Sequence, residues 1–176
     1  MKRIFAISAL FIAQSAFAHP GHDVASSAMA GLMHPVTGLD HLVALASAGA
    51  LLAATSVRTR WLGIAALLVS LAAGAGIAFL GVVLPWSEWV IGSSVLVAGI
   101  MLVHSYRSGV VHPAPLVIGT AVFALFHGYA HGVEISGDAT GFVLGFLVMS
   151  LAIVVVAIQA ARSASRVRAR RRAQPA

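Results

Sequence analysis

Hydrophobic positions along the chain gather into five long apolar stretches, at about residues 36–55, 61–84, 88–105, 114–134 and 141–161. Each is long enough to cross roughly 30 Å of hydrocarbon as a helix. Polar punctuation separates them: Arg58-Thr59-Arg60, Pro85, the segment from Arg107 to Pro113, and Ser136-Gly137-Asp138. Inside the stretches apolar residues run continuously instead of alternating, which predicts helices and not the strands of a barrel, the other structure that satisfies its backbone in lipid. The predicted fold class is therefore all-α: a polytopic transmembrane helix bundle of about five spans.

The N-terminus changes the picture of where the chain starts. Residues 1–18, MKRIFAISALFIAQSAFA, carry Lys2 and Arg3, a short apolar core, and Ala16-Phe17-Ala18 in a small-x-small pattern. This predicts a cleaved secretory signal peptide, because the core is too short to span; an uncleaved anchor is the alternative. Cleavage leaves a mature chain beginning HPGHD outside the cytoplasm. The predicted organisation is a signal peptide at 1–18, a short periplasmic N-terminal segment at 19–33, a helical bundle at 34–161 and a basic cytoplasmic tail at 162–176.

Charge supports that orientation. With the mature N-terminus out and the C-terminus in, Arg58, Arg60, Arg107 and the six arginines of RSASRVRARRRAQPA all fall on the cytoplasmic side, whereas the outer loops hold Glu88 and Asp138. The positive-inside rule and the signal peptide are independent and agree. The net charge of +6 thus reads as a juxtamembrane anchor on anionic lipid, not as a nucleic-acid surface. Composition points the same way: of 176 residues, 60% are hydrophobic and 9% charged, against roughly 25% charged in a soluble domain. The expected location is the inner membrane, with the lipid bilayer as a partner. No cysteine is present, which excludes disulfides, thiolate metal sites and cysteine nucleophiles. No G-x-x-x-x-G-K-[ST] loop is present to hold a nucleotide.

Ionisable side chains inside apolar runs are costly and ask for a partner or a task. HPVTGLDHL, residues 34–42, places His34, Asp40 and His41 at the outer end of the first span. FALFHGYAHGVEIS places His127, His131 and Glu134 at the outer end of the fourth, spaced i, i+4, i+7 and so on one helix face. Two distant segments thus bring four imidazoles and two carboxylates to one membrane depth. Such donors suit Ni, Co, Zn or Mn and not Cu(I), which prefers sulfur. Competing structural readings are that Thr37 and Asp40 cap the first span, and that His34, before Pro35, only marks a loop-to-helix junction. Gly128 and Gly132, like Gly141 and Gly145, form small-xxx-small pairs that permit close helix approach; in the functional version they bring the first span against the fourth.

At HPVTGLDH and FHGYAHGVE the sequence resembles the HupE/UreJ family of small nickel permeases of bacterial hydrogenase and urease systems. The motifs H-x5-D-H and F-H-G-x-A-x-G-x-E are both complete, and the resemblance covers essentially the whole chain. It implies uptake of Ni²⁺, with Co²⁺ as the second choice, as a transported substrate with no permanently bound cofactor and no enzymatic activity. His34, Asp40, His41, His127 and Glu134 fall on motif positions; His131 occupies a variable one, so its role rests on helical spacing.

The ion is expected to pass inward between the first and fourth spans, with His104, and His112 in the next loop, as candidate release ligands. His19 with its free amine, His22 and Asp23 form a candidate capture site. The rival class is an intramembrane zinc hydrolase, in which the same groups activate a water; a metal-sensing membrane subunit is a third reading. Five spans are few for an alternating-access machine and no internal repeat is visible, so a homo-oligomer stays open.

Overall fold

The structure, a computed structural model, describes residues 27–173, with no β-strand among the described residues. The predicted signal peptide and the capture residues His19, His22 and Asp23 lie outside the described residues. Six helices follow in order: α1 (Ala28–Thr37), α2 (Leu39–Ala53), α3 (Val57–Phe79), α4 (Ser87–Ser108), α5 (Pro113–Glu134) and α6 (Ala139–Ala173). Helices α3 to α6 are each long and apolar enough to cross a membrane, and α1 with α2 make a fifth span if the bent pair is counted as one.

Local chemistry sets the helix ends. The Ser56 hydroxyl accepts from the Thr59 N–H at 3.1 Å and starts α3. Pro113 opens α5, where its missing N–H has no intrahelical partner to lose. Asp138 Oδ1 accepts from the Gly141 N–H at 2.8 Å and caps α6. Gly109 closes α4 with φ 71°, a left-handed conformation that glycine adopts without steric cost. Around the bundle, Val69, Leu96, Ile118, Leu144, Val148 and Val156 are exposed. Such a surface is stable when lipid, not water, covers it. Trp61 lies exposed at the arginine end, and Trp86 and Trp89 at the opposite end, the places where indoles settle at membrane interfaces.

The first span departs from its prediction. Helix starts earlier, at Ala28, and the expected continuous span at 36–55 is broken at Gly38, with α1 and α2 bent by 77°. Gly38 leaves the helical conformation for an extended one and so ends α1, while Pro35 removes an α1 hydrogen bond one turn earlier. His34 lies within α1 and not at a loop junction. Thr37 does not cap: its Oγ1 donates back to Met33 O and His34 O, whereas the Asp40 carboxylate accepts from both the ring and the backbone N–H of His41 in the first turn of α2. At 15 residues α2 is about 22 Å long, short of a full crossing. Backbone broken at membrane depth is tolerated where protein surrounds it or it lines a cavity.

Close packings at glycines hold the bundle, including Gly49 of α2 against Val154 and Ala157 of α6. A Cβ at Gly74 would fall on the Leu125 carbonyl oxygen, and one at Gly128 on that of Leu71; Gly132 faces Ala75 and Ala78. Gly128 and Gly132 therefore pair α5 with α3, and not with the first span as expected. Gly31, Gly141 and Gly145 pair α1 with the start of α6, where a Cβ at Gly145 would meet the Ala28 carbonyl. Tyr129, buried on α5, accepts the Leu84 N–H at 3.0 Å and ties down the loop after α3. The expected basic tail continues α6 without a break through 173, making it 35 residues, about 52 Å, and longer than a bilayer core. Arg168 lies 5.7 Å over the Tyr106 ring.

Candidate metal centre

Four helix ends meet at the end of the bundle opposite the arginines. The last turn of α1 brings His34, the first turn of α2 brings Asp40 and His41, the end of α5 brings His127 and His131, and the start of α6 brings Phe142 and Phe146. The i, i+4 spacing does what it predicts, since both α5 imidazoles reach the same cluster. His41 is its centre: its ring lies 5.0 Å from that of His34, 5.1 Å from His127 and 4.8 Å from His131.

Hydrogen bonds decide which nitrogens face inward. His127 Nδ1 is 2.9 Å from the Phe123 carbonyl, which only accepts, so Nδ1 carries the proton and Nε2 carries the lone pair. His41 Nδ1 is 2.9 Å from Asp40 Oδ1, which fixes the same tautomer. Its Nε2 lies 2.7 Å from His131 Nε2. His34 Nε2 and His127 Nε2 are buried without a hydrogen-bond partner. Buried polar atoms are nearly always paired, so two lone imidazole nitrogens in one cluster mark a place for a ligand.

The donors form two overlapping groups, His34 with His41 and His131, and Asp40 with His41 and His127, whose ligand atoms lie within 4.8 Å of one another. Two nitrogens on one ion sit at most about 4.2 Å apart, twice a metal–nitrogen bond of roughly 2.1 Å. Small side-chain rotations are enough to close either group on an ion. Phe146 is buried, its ring 5.0 Å from His131 and 6.0 Å from His34, and walls the cluster with apolar surface.

The family profile described as "HupE / UreJ protein" matches residues 7–174. The chain belongs to the HupE/UreJ family. A curated relative, "Protein HupE" of Rhizobium leguminosarum bv. viciae, is 32% identical over 139 residues, covering 77% of this chain and 70% of the relative. No solved structure matches the chain. In this HupE/UreJ fold, five of the six expected ligands converge. Glu134, the last residue of α5, is exposed and lies in neither donor group. His104 and His112 are exposed at the other end of the bundle, rings stacked at 6.2 Å.

Gly38, Phe142 and Phe146 also shape the HupE/UreJ site and were not singled out from sequence. The legible signal was a glycine inside HPVTGLDH, where a continuous helix has no use for one. A Cβ at Gly38 would sit 2.9 Å from His41 Nδ1 and 3.3 Å from Asp40 Oδ1. Its φ of −80° suits any residue, so Gly38→Ala strains no backbone and acts by displacing the Asp40–His41 pair. The expected result is a folded protein whose Ni²⁺ affinity, measured by calorimetry in detergent, falls about tenfold. Asp40→Asn keeps an acceptor for His41 but removes its charge. Carboxylates that orient a metal-bound histidine are typically worth 10–100-fold in affinity, and a loss of that size is expected in the same titration.

Proposed function

We propose that this protein is a secondary permease that imports a divalent transition-metal ion, Ni²⁺ first and Co²⁺ second, across the bacterial inner membrane to supply hydrogenase or urease maturation. The observation that carries the reading is the convergence of His34, His41, His127 and His131 from segments some ninety residues apart, with two buried lone-pair nitrogens unpartnered. Imidazoles bind Ni²⁺, Co²⁺ and Zn²⁺ well and Mn²⁺ poorly. The HupE/UreJ membership supports nickel or cobalt among these.

In this reading the histidine end faces out and the arginines face in, as the positive-inside rule asks. His41, His127, His131 and His34 take the ion, and Asp40 orients His41. The sequence holds no G-x-x-x-x-G-K-[ST] loop, and in this reading transport draws on the ion's own gradient, the membrane potential or proton exchange at the histidines. For a divalent cation, about 100 mV is worth roughly 4.6 kcal/mol, on the order of a thousandfold accumulation.

The test is uptake of ⁶³Ni²⁺ into proteoliposomes with an imposed inside-negative potential. Saturable uptake, competed by Co²⁺ at far lower concentration than by Mn²⁺, is the expected result. Hydrolytic activity of the zinc-loaded protein without any ion flux would replace the permease by the metallohydrolase.

A further inference from the structure

At the end of the bundle far from the histidines, a cleft of about 240 Å³ lies between α3 and α6. Arg60, Gln159 and Arg162 line its mouth, and Ile64, Val155 and Ile158 line its floor. That order follows from helix direction. Helix α3 enters the bilayer at this end and α6 leaves it here, so Ile64 lies one turn deeper than Arg60, about 6 Å. Ile158 and Val155 lie one and two turns deeper than Arg162. The cleft is therefore cationic where the bilayer meets water and apolar where hydrocarbon begins. Trp61, exposed beside it, sits at the depth where indoles settle.

Two guanidinium groups share this cleft, and the chain offers them no carboxylate. Its five acidic side chains are Asp23, Asp40, Glu88, Glu134 and Asp138. Asp23 lies outside the described residues, and the other four lie at the histidine end. Arg60 Nη2 donates to the Thr55 carbonyl at 2.9 Å, but Arg60 Nε is buried with no hydrogen-bond partner. Buried donors are nearly always paired, and like charges held together repel. Arg60 also stands at the start of α3, where the positive end of the helix dipole disfavours a cation. Each of these costs falls when an anion enters the cleft.

We infer that the cleft binds one anionic diacyl phospholipid of the surrounding leaflet, its phosphate between Arg60 and Arg162 and an acyl chain along Ile64, Val155 and Ile158. Guanidinium N–H groups match phosphate oxygens in pairs, and basic pockets between transmembrane helices hold anionic headgroups. The apolar floor favours a lipid over free phosphate, which has nothing to place there. A lipid seated here joins two glycine-packed parts of the bundle: α3 is bound to α5 through Gly74 and Gly128, and α6 to α1 and α2 through Gly145 and Gly49. The site stands apart from the histidines and from what they carry.

The experiment is native mass spectrometry and thermal unfolding of the full chain in neutral detergent, with phosphatidylglycerol, phosphatidylcholine or inorganic phosphate added at equal concentration. Expected is one phosphatidylglycerol retained per chain, little phosphatidylcholine, and a rise in melting temperature that inorganic phosphate does not reproduce. Arg60→Gln combined with Arg162→Gln is expected to weaken phosphatidylglycerol binding about thirtyfold, at about fivefold for each arginine near an anionic lipid surface. Arg58→Gln combined with Arg170→Gln removes the same charge from exposed positions off the cleft, and should leave the binding nearly unchanged. Equal losses in the two double variants show attraction to the whole basic surface and overturn the site. Val155→Trp keeps both arginines and fills the floor; circular dichroism is expected to show the fold intact and mass spectrometry the lipid gone. Lipid retained by Val155→Trp at the wild-type level overturns the inference. Phosphatidylcholine held as well as phosphatidylglycerol, or inorganic phosphate stabilising as much as the lipid, overturns it as well.

Discussion

His41→Ala is expected to lower Ni²⁺ uptake and Ni²⁺ affinity by at least about a hundredfold while leaving the fold intact. His41 is the residue shared by both donor groups, so its loss breaks each of them. It is also the link between the two halves of the site, with Nδ1 on Asp40 and Nε2 facing His131. Losing even a partner that only orients a metal ligand typically costs 10–100-fold, and removal of His41, the proposed central ligand, is expected to exceed that. Some stability is expected to be lost, because His41 is buried beside a cavity that its removal enlarges, but α2 itself does not depend on this side chain. Circular dichroism and calorimetric Ni²⁺ titration of the same detergent preparation check both halves. His104→Ala, at the far end of the bundle, serves as the comparison and is expected to change affinity less than about threefold, as its ring pairs with His112 away from the cluster.

The second large effect is structural. Gly128→Val puts a side chain where the Leu71 carbonyl stands and forces α5 away from α3. In lipid, helix association depends on such close backbone approach, since no hydrophobic driving force separates lipid from leucine. A destabilisation of about 4 kcal/mol or outright loss of folded protein is expected, at the large end of single-residue effects. His127 and His131 move with α5, so metal binding falls with the fold. Gly76→Ala on α3 is the control: a Cβ there meets nothing within 4 Å. It should be neutral or stabilising by up to about 1 kcal/mol, the helix-propensity difference. Thermal unfolding in one detergent distinguishes the two, and equal melting temperatures would mean that the α3–α5 contact carries no stability.

Much of this architecture was legible because a bilayer forces helix length and continuous apolarity, and those show directly in sequence. The second, third and fourth spans came out within five residues of their expected ends for that reason, while the helix of the last runs on through Ala173. The first did not: residues 28–33 give no polar signal that separates loop from helix, and the break at Gly38 depends on how Pro35, Gly38 and the imidazoles settle together in three dimensions. The His127 and His131 face was readable because i, i+4 is a property of one helix. Which helix the glycines Gly128 and Gly132 would meet was not, since a small-xxx-small pair states closeness without naming a neighbour; the neighbour is α3. Asp40 likewise has two local uses, cap or partner of a histidine, and only the fold shows that it accepts from both the backbone and the ring of His41.

The most direct measurement is nickel K-edge X-ray absorption on the Ni²⁺-loaded full chain and on His127→Ala. The proposed four-imidazole site entails one ion per chain with four imidazole nitrogens in the wild type, and three in His127→Ala. A shell of oxygens alone, or an imidazole count unchanged by His127→Ala, would contradict it.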